Sequence, residues 1–116
     1  MDKKLAALAE ELEAALVIDD TLSERVLDTI EHLAHKKLAK SDLESTDIIL
    51  DLIHSEKPGW NISIRGNASK PNGHWRCSLR KSSIRDNDEY LGIARGPTLP
   101  HALLSCWLKS CSFEAG

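Results

Sequence analysis

With 116 residues, 41% of them hydrophobic, and a net charge of −3, the chain is long enough for one cored domain and too apolar for disorder over most of its length. Three cysteines, none in a C-x-x-C pair, argue against a disulfide framework or a zinc knuckle, and no apolar run approaches the roughly 20 residues that span a bilayer. Met1-Asp2-Lys3-Lys4 leads into an Ala/Leu/Glu pattern with no secretory segment, so a cytoplasmic location is expected. The net charge conceals a division at Glu56. Residues 1–56 hold 6 Lys/Arg against 14 Asp/Glu, or −8, and residues 57–116 hold 9 against 4, or +5.

Leu5, Leu8, Leu12 and Leu16 recur at helical spacing, with Ala9 and Ala15 beside them, and predict an amphipathic helix over about residues 2–18. Thr21-Leu22-Ser23-Glu24 has the capping-box form and predicts a second helix start, with Leu22, Val26, Leu27, Ile30, Leu33, Ala34 and Leu38 as its stripe, to about Ala39. Lys36, Lys37 and Lys40 would then sit where the macrodipole favours cations. The pair reads as an acidic helical hairpin, residues 1–40. Ser41-Asp42-Leu43-Glu44 is a further capping-box match, but the stripe Ile48, Ile49, Leu52, Ile53 favours a third helix starting near Thr46 and ended by Pro58-Gly59.

Trp60, Ile62 and Ile64 then alternate with Asn61, Ser63 and Arg65. After Pro71-Asn72-Gly73, Trp75, Cys77 and Leu79 alternate with His74, Arg76, Ser78 and Arg80. This predicts a β-hairpin with one apolar and one polar, basic face. A third strand is expected near Glu89–Arg95, with either Leu91 and Ile93 or the set between them facing inward. After Gly96-Pro97, Leu99, Leu103, Cys106, Trp107 and Cys111 predict a last helix, from a start near Thr98 to about Cys111, with one apolar face to cover the sheet. The expected fold class is therefore α+β: an N-terminal helical hairpin followed, over residues 41–116, by an α-β-β-β-α two-layer sandwich with a three-stranded antiparallel sheet.

Ser45-Thr46-Asp47-Ile48, Pro58-Gly59-Trp60, Trp75 and Thr98-Leu99-Pro100-His101-Ala102-Leu103-Leu104 together resemble the phage ABA sandwich domain of phages and prophages, over about residues 45–110. That resemblance implies a mobile-element origin and carries over no catalytic residue. The element order also resembles the double-stranded-RNA-binding domain, with Lys70-Pro71-Asn72-Gly73-His74 where that family places a minor-groove loop. The lysine cluster that opens that family's second helix is absent here, where the helix begins Thr98-Leu99-Pro100-His101.

Two candidate binding surfaces follow. The basic hairpin face offers Arg65, Lys70, His74, Arg76, Arg80 and Lys81 to phosphates or an acidic partner, with Arg85 and Arg95 in nearby loops. The acidic helices offer Glu10, Glu11, Glu13, Asp19, Asp20 and Glu24 to a basic partner. A solvated surface would account for either charge pattern. His32 and His35 lie a turn apart beside Glu31 without a third ligand in view, and no histidine is placed against a cysteine, so neither a metal, a cofactor nor a catalytic residue is assigned. The reading is a small, non-enzymatic binding protein of phage or prophage type, most concretely an anti-defence, anti-CRISPR-like inhibitor that occludes a bacterial protein or nucleoprotein. The alternative is a nucleic-acid-binding module using the hairpin, and a homodimer through the N-terminal helices is weighed for either.

Overall fold

A computed structural model describes residues 3–15, 18–66, 75–80 and 91–114. In chain order these form α1 (Lys3–Ala14), α2 (Asp20–Ala34), a 3-10 turn (Lys40–Glu44), α3 (Thr46–Glu56), β1 (Asn61–Arg65), β2 (Trp75–Arg80), β3 (Leu91–Gly96) and α4 (Leu99–Glu114). The strands make one antiparallel sheet in the order β1-β2-β3, and helices pack on it, which is the expected α+β class.

Capping chemistry sets the helix ends, in places differently from the sequence expectation. Asp19, not Thr21, caps α2, its carboxylate accepting from the Leu22 N–H at 2.8 Å. A charged cap gains from the macrodipole as well as from the hydrogen bond. The helix ends at Ala34 rather than Ala39, because His35 takes the left-handed conformation (φ 55°, ψ 33°) and closes the last turn with its N–H on the Glu31 carbonyl. Lys36, Lys37 and Lys40 therefore lie beyond the helix, and Lys40 pairs with Asp20 at the start of α2. Asp42 accepts from the Ala39 N–H at 2.8 Å, so the Ser41–Glu44 capping match opens only a 3-10 turn. Helix α3 begins at Thr46 as expected, behind the Ser45 cap.

On the sheet, Cys77, Leu79 and Ala94 are buried and Trp60, Ile62 and Trp75 are half-buried, so the predicted apolar face is the inner one. One particular differs: Ile64, on the β1 edge of that face, is 40% exposed. In β3, where either set could face inward, it is Ala94 that points in while Ile93, at 41%, points out. Inward small residues admit α4 closely: a Cβ on Gly96 would stand 2.7 Å from the Ala102 backbone nitrogen.

Helix α4 departs furthest from expectation. Each residue from Pro100 to Leu108 is buried, so this helix is covered on all sides and not along one stripe. Strands β2 and β3 lie on one side of it, and α1 and α3 pack against the rest. Leu5, Leu8, Ala9 and Leu12 of α1 and Leu22, Val26 and Ile30 of α2 share one core cluster with Leu103, Leu104, Trp107 and Leu108 of α4. His101, also buried, donates from Nε2 to the Leu12 carbonyl, which also accepts the Ala15 N–H at 3.3 Å at the end of α1.

Candidate functional site

The pleat turns alternate side chains of the hairpin outward, and the register decides which of them meet. Arg65 of β1 is opposite Arg76 of β2, and Arg76 is opposite Arg95 of β3. The three arginines thus form one row across the sheet, at the strand spacing of about 4.8 Å. All three are exposed, and among the described residues none has an ion-pair partner. Like charges placed directly opposite one another repel, so the row costs stability. The next row outward is Ser63, Ser78 and Ile93. A shallow concavity of about 290 Å³ lies over Ser63, Arg65, Arg76, Ser78 and Ile93, bringing guanidinium and hydroxyl donors to one opening.

Of the expected basic residues, Arg65 and Arg76 are brought together. Arg80 is on the same face, half-buried, in the row of Asn61 and Leu91. Lys70, His74 and Lys81 lie outside the described residues. Arg95, expected in a loop near the hairpin, lies in β3 and completes the row. The strand's own residues allow either set of β3 to face inward, and only Ala94 packing under α4 turns Arg95 outward.

The acidic residues are dispersed. Glu11 makes a two-pronged pair with Arg25, at 2.7 and 2.8 Å, which holds its carboxyl below the usual range and raises the guanidinium. Asp19 is a cap and Asp20 pairs with Lys40. Glu13 accepts from Lys109 Nζ at 2.9 Å and from the Arg95 backbone N–H at 3.1 Å. Glu10 and Glu24 are exposed. Four of the six carboxylates thus serve contacts within the chain.

Unpaired guanidinium groups bind phosphate or carboxylate through parallel N–H···O bonds, and the row offers that chemistry. Buried thiols do not add a nucleophile to it: burial pushes Cys77 up to about 12 and Cys106 further still. Among the described residues, no group of three or more His, Cys, Asp or Glu is placed to hold a metal ion, and no helix is long and apolar enough to cross a membrane. In comparisons with known proteins, no family model, no curated protein and no solved structure matches the chain.

Proposed function

We propose that the chain is a non-enzymatic binding protein of the cytoplasm that grips a phosphate backbone with the outer face of its sheet. The observation that carries this reading is the Arg65–Arg76–Arg95 row, exposed and, among the described residues, making no side-chain ion pair. Ser63 and Ser78 beside it supply neutral donors to the same ligand. The net charge of the whole chain is negative, so attraction is confined to this face and binding is weak at high salt.

Fluorescence anisotropy with short single- and double-stranded probes tests it. Three neutralised phosphates correspond to a slope of log affinity against log salt of about −2 on single strands and about −2.7 on duplex. Arg76→Glu, at the centre of the row, abolishes binding. No binding at low salt, or binding indifferent to Arg76→Glu, rejects the reading.

A second reading is favoured by Ile93, whose exposed side chain beside the arginines gives the face an apolar component. The face would then cover an acidic protein surface, and the resemblance to a phage-type domain makes a bacterial defence protein or nucleoprotein the natural target, with the chain acting as an anti-defence inhibitor. Affinity capture from a bacterial lysate after nuclease treatment separates the two. A specific protein lost on Ile93→Asp supports the second reading, and recovery of nucleic acid alone without nuclease rejects it.

A further inference from the structure

The two edges of the sheet are treated differently. At β3, Lys109 Nζ donates to the Ile93 carbonyl at 2.9 Å and Glu13 accepts from the Arg95 N–H at 3.1 Å, so side chains of α4 and α1 occupy two outward main-chain groups at the middle of that strand. This closes the edge against another strand.

The same two bonds fix the direction of every backbone group in the sheet. Because Ile93 and Arg95 turn outward, Gly92, Ala94 and Gly96 exchange hydrogen bonds with Leu79, Cys77 and Trp75, their partners in the register. Arg76, Ser78 and Arg80 must then face β1 and bond Arg65, Ser63 and Asn61. That leaves the N–H and C=O of Ile62 and Ile64 directed away from the sheet. Among the described residues, no side chain or backbone group bonds them.

We propose that β1 pairs antiparallel with β1 of a second copy, joining two three-stranded sheets into one, with Ser63 on the two-fold axis. The occupant follows from the strand Asn61-Ile62-Ser63-Ile64-Arg65 itself. In this register Ile62 of each copy bonds Ile64 of the other, so all the outward main-chain groups of both are used. On the inner face Ile64, 40% exposed in the single chain, is covered by Ile62 of the other copy. On the outer face Ser63 meets Ser63, and Arg65 meets the uncharged Asn61, whose amide oxygen can accept from it. The two Arg65 side chains stand four residues apart along the joined strands, about 14 Å, beyond the ~8 Å screening length at physiological salt. The charges therefore do not oppose the pairing, and the arginine rows of both copies lie on one face.

A contact of two five-residue strands belongs to the small interfaces, under about 1,200 Å², and the association is correspondingly weak. Sedimentation equilibrium over about 10 µM to 1 mM, where small interfaces associate, should show the mass rising from 12.9 kDa toward twice that value. Ile64→Pro removes a donor that only the second copy uses, and Ile64→Lys puts a charge into the covered apolar strip. Each should weaken dimerisation at least tenfold while circular dichroism stays unchanged. Should Ile64→Pro disturb the fold, Ile64→Lys carries the comparison. Amide exchange at Ile62 and Ile64 in the unaltered protein should slow as concentration rises. A monomer throughout the range overturns the proposal, as does a dimer indifferent to Ile64→Lys with unprotected Ile62 and Ile64 amides. Nucleic-acid binding is scored separately, because Arg76→Glu leaves β1 intact.

Discussion

Glu13 and Lys109, 96 positions apart in the chain, meet at 2.9 Å beside the β3 edge, and each also holds a main-chain group of that strand. The pair is about three-quarters sheltered from solvent, which places it between an exposed ion pair and a buried one. It joins α1, β3 and α4 through charges of opposite sign from the two halves of the sequence.

Glu13→Gln and Lys109→Met should each destabilise the protein by about 1 kcal/mol, and a double-mutant cycle should return a coupling of about 0.5–1 kcal/mol. Urea denaturation measures both. Lys109→Met should also raise aggregation, since it uncovers the Ile93 carbonyl on the β3 edge. Full additivity of the two substitutions would show that the pair contributes nothing.

Leu12 is fully buried where α1 meets α4, and truncating it leaves a cavity that neither helix can close. Leu12→Ala should therefore cost about 2–5 kcal/mol and lower the single cooperative transition of the whole protein. A helix attached only as an appendage would leave that transition where it was, and calorimetry distinguishes the outcomes.

His101 is buried against the Leu12 carbonyl, and loss of hydration holds its pKa below the ordinary 6.5, against the opposing pull of that hydrogen bond. The unfolded chain then binds the proton more readily than the folded one. Stability should be complete above about pH 6.5 and fall as pH drops below it, until the folded-state pKa is passed. His101→Gln should flatten this part of the urea-midpoint profile between pH 7.5 and 5, roughly the span in which histidine titrates. A profile unchanged by the substitution would assign the pH dependence to other groups.

The cysteines should separate by burial. Cys77 of β2 and Cys106 of α4 are buried, with raised pKa values, whereas Cys111 is only half-buried. At pH 8 a disulfide reagent should modify Cys111 first and the other two only at the rate of unfolding. Mass spectrometry of the labelled peptides reads the order, and rapid labelling of Cys77 would contradict the packing of β2 against α4.

Short-range patterns carried what the sequence determined alone. Ser45 three residues before Ile48 marked the start of α3, and the alternation of Trp75, Cys77 and Leu79 identified β2 and its inner face, because capping and pleat act between residues a few positions apart. The left-handed His35 that cuts α2 short left no such signal, since the apolar stripe continues through Leu38. Contacts between distant residues decided the rest. Ala94 turns inward, and Arg95 outward, because a small side chain lets α4 approach β3, a condition set by the neighbouring helix and not by the strand's own residues. Of the residues that read as an acidic binding surface, Glu13 becomes a tie to β3 and α4 because α1 lies on α4, and Glu11 a tie to α2 through Arg25. The arginine row exists only because the strand register aligns residues 65, 76 and 95, which no local period specifies.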